Sequence, residues 1–192
     1  MDIKLLSKNK YLKVPLFLSG GGGGVQMYDY LLLPKTAYID TNVVDTNVHS
    51  FTLTYIPVSL VNSYQNYISS RLDNFTLAYF LAIGNGGRNY LRISGQEISR
   101  AINFEWGNEY IVNYNSNNYG FLSLGDSGEN IIINNNTSYN RGAEQKFIDL
   151  ELEGNNNYHF VPAAMDGDVG IYEMNNQIFI AASGTGAEVG NF

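Results

Sequence analysis

The chain has 192 residues, 44% hydrophobic and only 15% charged, with 25 Asn, 20 Gly, 15 Tyr and 10 Phe. This is enough apolar material for one core, in a composition suited to turns and pleated sheets. With no cysteine, disulfide stapling, thiolate catalysis and the usual structural zinc sites are excluded; with a net charge of +3 over residues 1–24 and −10 over the rest, the body repels phosphate backbones, and nucleic-acid binding is not expected.

The N-terminal stretch MDIKLLSKNKYLKVPLFLS, residues 1–19, places Lys4, Lys8, Lys10 and Lys13 ahead of Leu16 and Phe17. Its apolar run VPLFLS is too short for a secretory signal and is broken by Pro15, so neither a leader nor a membrane span is expected. These six side chains read as the anchoring groups of an arm that docks on an acidic protein surface. Five glycines at 20–24 follow, a linker with maximal backbone freedom. A phosphate-cradling loop would need a Gly-Lys-Ser/Thr opening a helix, and none follows. Residues 25–192 form the expected body.

Strand signals then recur at short intervals. VQMYDYLLL and TAYIDTNVV come first; SFTLTYIPVSL alternates at period two until Pro57, which confines it to an edge or a bulge. VNSYQNYISSRL is the helical candidate, with Val61, Tyr64, Ile68 and Leu72 at helical spacing. Further strands are read in FTLAYFLAIG, RNYLRISG, AINFEWG, EYIVNYN, YGFLSLG, ENIIINN, QKFIDLELEG, YHFVPA, DVGIYEM and QIFIAAS, separated by Gly- and Asn-rich turns. Pro162 lacks a ladder donor and is expected to end its strand after Val161, with Asp166, Gly167 and Asp168 turning the chain. VGIYEM and QIFIAA should pair across Asn175 and Asn176 as a hairpin. The pattern as a whole predicts an all-β protein, a two-sheet antiparallel sandwich.

TAYIDTNV and FVPAAMDGDVGIYEMNNQIFIAASGTG resemble, in order and separation, the paired signatures of concanavalin A-like (LamG-like) jelly-roll domains of phage and gut-bacterial surface proteins. FLAIGNGGRNYLRI and INFEWGNEYIVNY are similar to segments between those signatures. The resemblance covers residues 37 to about 190. Asn42 stands where those domains carry Gly, and Glu173 where they carry Asp. The resemblance implies two curved antiparallel sheets in a jelly roll and a virion or surface-adhesion setting. It implies no activity, because the fold carries lectins, glycosidases and packing modules alike.

Four sets of residues carry candidate chemistry. Asp149, Glu151 and Glu153 alternate on one strand face and resemble the carboxylate strand of laminarinase-type glucanases; same-face neighbours lie about 6.6 Å apart at Cα, compatible with a retaining pair. A solvated strand face explains the same spacing. Asp126, Glu129, Asp166 and Asp168 could hold calcium or simply form turns. Trp106, with Glu105, Asn108 and Tyr110, offers an aromatic face beside polar groups, the pattern that holds sugars, while a core position for the Trp is the alternative. His49 and His159 fall in separate strands and are read as structural, and the sequons at Asn74 and Asn135 carry no weight without a secretory route.

These features lead first to a non-enzymatic bacteriophage virion structural protein, a head-fibre or capsid decoration subunit. Residues 1–19 would grip capsid or tail proteins, and a homotrimer is expected ahead of a dimer. No metal, cofactor or membrane contact is expected. The alternatives are a carbohydrate-binding adhesion module for host-surface glycans and a glucanase-type glycoside hydrolase.

Overall fold

Strands β4 (Val48–Ser59) and β11 (Glu144–Gly154) run antiparallel along their whole length and form the centre of the larger sheet. Both alternate, so one face of each is apolar and must be covered. The computed structural model describes residues 26–59, 64–70, 79–83, 88–93, 96–101, 105–120, 122–125, 127–134, 142–155, 158–164, 171–174, 177–180 and 188–190. The arm, the glycine linker, Val61, Leu72, Asn74, Asp126, Asn135, Asp166 and Asp168 lie outside the described residues.

On one side β4 pairs with β9 (Tyr110–Asn115). The free edge of β11 is shared: β12 (Tyr158–Ala164) takes its C-terminal half and β2 (Tyr30–Leu33) its N-terminal half. β13 (Ile171–Met174) and β14 (Gln177–Ile180) extend the sheet beyond β12, β1 (Gln26–Met27) pairs β12, and β15 (Glu188–Gly190) pairs β2. The second sheet runs in the order β3 (Ile39–Val44), β10 (Asn130–Ile133), β5 (Gln65–Ser69), β6 (Tyr79–Ile83), β7 (Arg88–Ile93) and β8 (Gln96–Ala101), all antiparallel. The protein is thus an all-β, two-sheet antiparallel sandwich.

The inner rows of the larger sheet read Val112–Leu53–Leu150–Phe160 and Tyr114–Phe51–Leu152. They meet Ile39, Val43, Tyr67, Ile68, Ile131 and Ile133 of the second sheet in one core. Tyr55 and Tyr67 touch across the layers with ring centroids 4.6 Å apart. Burial pushes both phenols up, Tyr55 further under the influence of Tyr67 and Tyr110. Each fully buried Leu or Phe contributes about 1.5–3 kcal/mol, which makes this core the main stabilising term. A bulge at Ile148 brings Phe147 and Leu150 to the same inner face despite their spacing.

Several expectations are corrected by packing. Residues 65–69 of the helical candidate are strand β5, buried throughout and paired on both edges, so tertiary pairing overrides the helical spacing. YGFLSLG forms no strand over 122–125: Leu122 is 97% exposed while the Leu124 N–H donates to Val48 O. Of AINFEWG, Ala101 lies in β8, residues 102–104 lie outside the described residues, and Trp106 and Gly107 form a turn rather than a strand. β12 does not end at Val161 but continues through Pro162, whose carbonyl accepts from the Tyr28 N–H. Pro162 sits where β12 passes from β11 to β1 as neighbour, the gap in which a missing donor breaks no ladder bond. Pro57 lies beyond the reach of β9 and beside the bulge at Val58, as its missing donor requires. The hairpin is formed, with Met174 opposite Gln177.

Gly154 ends β11 against the β3–β4 corner, where a Cβ would overlap the Asn47 carbonyl. The obstacle is backbone, so it cannot rotate away. Gly154→Ala is expected to lower stability by about 1–3 kcal/mol, the usual cost of overpacking. Urea unfolding should show this as a lower midpoint at unchanged slope.

Candidate functional site

The outer face of the larger sheet follows from the same register as the core. One residue out of phase with the inner rows stands the row Asn113–Thr52–Glu151–His159, contributed by β9, β4, β11 and β12 in turn. Flanking it are Asn115–Ser50–Glu153 on one side and Thr54–Asp149 on the other. Directly opposed side chains in such rows have Cβ atoms about 4.5–5.5 Å apart, so the rows form a continuous polar ladder across four strands.

Its members bond to one another. Ser50 Oγ donates to Glu153 Oε2 at 2.6 Å, and Thr52 Oγ1 donates to Asn113 Oδ1 at 2.7 Å. His159 Nε2 lies 2.6 Å from Asp149 Oδ1, joining β12 to β11 on the diagonal. Asp149 is nearly buried while His159 is half exposed. One donor atom each from Asp149, Glu151 and His159 falls within 4.8 Å of the others. At the other end of the ladder a shallow depression of about 240 Å³ is lined by Ser50, Thr52, Asn113, Asn115, Asn118 and Glu153.

The sequence-derived candidates fall in separate places. Asp149, Glu151 and Glu153 do share one face of β11, as their alternation requires. His159, read from sequence as structural, is brought onto that face by the β11–β12 hairpin, with His159 opposite Glu151. Trp106 is 43% exposed, in the turn that precedes β9. Around it Asn108 Nδ2 donates to Glu105 Oε2 at 2.6 Å and the Glu105 N–H donates to the Tyr110 hydroxyl at 2.9 Å. The Gly107 N–H, at a φ of 84°, ties the turn to Pro57 O. Tyr110 is opposite Tyr55 and Asn115 opposite Ser50. The start of β9, next to the Trp106 turn, is therefore about 10 Å along the strand from Asn113 and about 17 Å from Asn115 of the depression, at roughly 3.3 Å per residue.

Of the calcium candidates Glu129 is exposed, and its carbonyl accepts from the Asp45 N–H. The carboxylate that organises that loop is Asp45, which the sequence reading passed over. It is fully buried and accepts from Ser70 Oγ, Ser127 Oγ and the Gly128 N–H. Its three partners are some 25 to 83 positions away, and no local spacing announces them. His49 Nδ1 contacts Ser50 Oγ at 3.3 Å.

Comparison with family models, curated proteins and solved structures finds no match to this chain. Among the described residues no helix is long and apolar enough to cross a membrane.

Proposed function

We propose that this chain is a non-catalytic adhesion module that holds a neutral glycan on the polar ladder of its larger sheet, displayed on a bacteriophage virion as a head-fibre or decoration subunit. The observation that carries the binding half is the row Asn113–Thr52–Glu151–His159 with its adjoining depression. Amides, hydroxyls and carboxylates alternate there on a rigid sheet, the donor and acceptor set that sugar hydroxyls require. At about 240 Å³ the depression is smaller than an enclosed small-molecule pocket. It is open along the sheet, which suits one sugar unit of a chain that continues past it. The carboxylates on this face, in a body of net charge −10, disfavour acidic sugars.

The virion half rests on the concanavalin A-like resemblance and on the lysine-rich arm at residues 1–19. It is checked by immunogold labelling of purified particles. A glycoside hydrolase is the second reading, favoured by the proximity of the Asp149 and Glu151 carboxyl groups.

One glycan-array experiment separates the readings. Binding should fall at least about tenfold in Asn113→Ala, the loss of one or two hydrogen bonds at the site, and stay unchanged in Trp106→Ala. Loss on Trp106→Ala instead would move the site to the turn before β9, and absence of any retained glycan would end the adhesion reading. Release of reducing sugar that Glu151→Gln abolishes would place the chain among hydrolases.

A further inference from the structure

We propose that Asp149, Glu151 and His159 bind one divalent transition-metal ion, of the zinc or manganese class, on the outer face of the larger sheet. Two independent observations meet there. The first is the donor set: two carboxylates and an imidazole on adjacent strands, with one potential ligand atom from each inside a 4.8 Å span. Ligands around a tetrahedral ion with bonds of about 2.0–2.1 Å stand roughly 3.3 Å apart. Small rotations about side-chain bonds would bring the three atoms to that spacing, with the 2.6 Å His159–Asp149 contact opening slightly.

The second is Thr54. It stands directly opposite Asp149 on the same face, is 2% exposed, and its Oγ1 has no hydrogen-bond partner. Buried hydroxyls are nearly always satisfied in folded proteins, and this one stands beside the Asp149 carboxylate. An ion beside Asp149, or a water bound to it, supplies the hydroxyl with a partner.

The chemistry selects the class of ion. Imidazole with carboxylates suits zinc, manganese, cobalt or nickel, whereas calcium takes six to eight oxygens, more than these residues offer. Two carboxylates against a single imidazole leave the face negative, and the acidic body raises the local concentration of cations. The strands hold the ligands: Glu151 and His159 are fixed by the β11–β12 ladder and Asp149 by pairing with β4.

The test is isothermal titration of the full, metal-free chain with zinc chloride near neutral pH, without sugar. Failure of the glycan reading therefore leaves this result untouched, and the reverse also holds. One equivalent should bind to the wild type and to His49→Gln. Affinity should fall by about tenfold or more in Glu151→Gln, and binding should disappear in His159→Gln. Zinc should raise the melting temperature of the wild type and not that of His159→Gln, which reads the site through folding rather than heat of binding. No binding and no melting shift in the wild type, a site retained by His159→Gln, a site lost in His49→Gln, or calcium bound as tightly as zinc would each overturn the assignment.

Discussion

Asn134→Ala is expected to cost about 3–5 kcal/mol, a large share of the stability of a domain of this size. Asn134 follows β10 in the left-handed region, with φ 58°, and is fully buried. Its Nδ2 donates to Pro34 O at 3.0 Å and Ala37 O at 2.6 Å, its Oδ1 accepts from the Ala143 N–H, and its own N–H reaches Tyr67 O at 2.8 Å. Its side chain thereby ties the β2–β3 connection to the start of β11, and its backbone N–H adds β5, where the two sheets meet. Alanine leaves the Ala143 N–H and the Ala37 carbonyl buried without this partner, while Pro34 O keeps the Ala37 N–H; the cost is about 1–3 kcal/mol for each group left unsatisfied, plus about 1 kcal/mol because alanine lacks the local polar bonding that lets Asn tolerate the left-handed conformation. The melting temperature should drop by roughly 10 °C, taking 2–4 °C per kcal/mol for this chain length. Asn134→Gly accepts the backbone conformation and loses only the hydrogen bonds. It should fall between the wild type and Asn134→Ala, and a glycine variant as stable as the wild type would show that the side-chain bonds contribute nothing.

Asn42 belongs to the same class of position. Its φ is 54°, and its N–H donates to Asp40 Oδ1 at 2.9 Å. Asn is the residue besides Gly that tolerates this region best, which gives a physical reason for Asn at this position. The strand itself was legible from its alternation. The positive φ was not legible, because nothing in the flanking residues requires it.

The same division runs through the rest of the chain. Alternation located β4, β9 and β11, because each has one apolar face turned inward and period two survives in the sequence. It mistook β5, since a strand buried on both faces has no polar alternation to display. It mistook YGFLSLG as well: Leu122 and Leu124 share the spacing of a strand face, yet one is in solvent and the other in the core. On the functional face, Asp149, Glu151 and Glu153 were legible because they lie on one strand. Thr52, Asn113 and His159 were not, because they join the ladder through the registers of three separate pairings. For His159 a signal did exist. Only three residues separate the end of β11 from the start of β12, which makes the two a hairpin, and its register puts 159 opposite 151.

Asp45→Ala is expected to cost a comparable 3–5 kcal/mol, and the loss should be local. The Asp45 carboxylate lies in the short 3-10 turn between β3 and β4 and is completely enclosed. It accepts from Ser70 Oγ at 2.7 Å, Ser127 Oγ at 2.5 Å and the Gly128 N–H at 3.0 Å. All three are donors, the set an ionised carboxylate can accept in full. Bonds of this kind contribute about 1.5–3 kcal/mol each, and the truncation strands Ser70, itself 1% exposed, without an acceptor. Gly125 shows how tightly the loop is drawn in, because a Cβ there would overlap the Asp45 carboxylate. Asp45→Asn keeps the shape and one acceptor oxygen, so it should retain part of the stability that alanine loses. The two causes of destabilisation, a lost core contact or a lost loop anchor, differ in where protection disappears. Hydrogen exchange in Asp45→Ala should accelerate over residues 122–129 well before it does in β4 and β11, because the partners of this carboxylate lie in that loop and next to the end of β5, not in β4 or β11. Uniform acceleration across the larger sheet would show instead that Asp45 supports the β3–β4 corner as a whole, and its loop bonds would then be incidental.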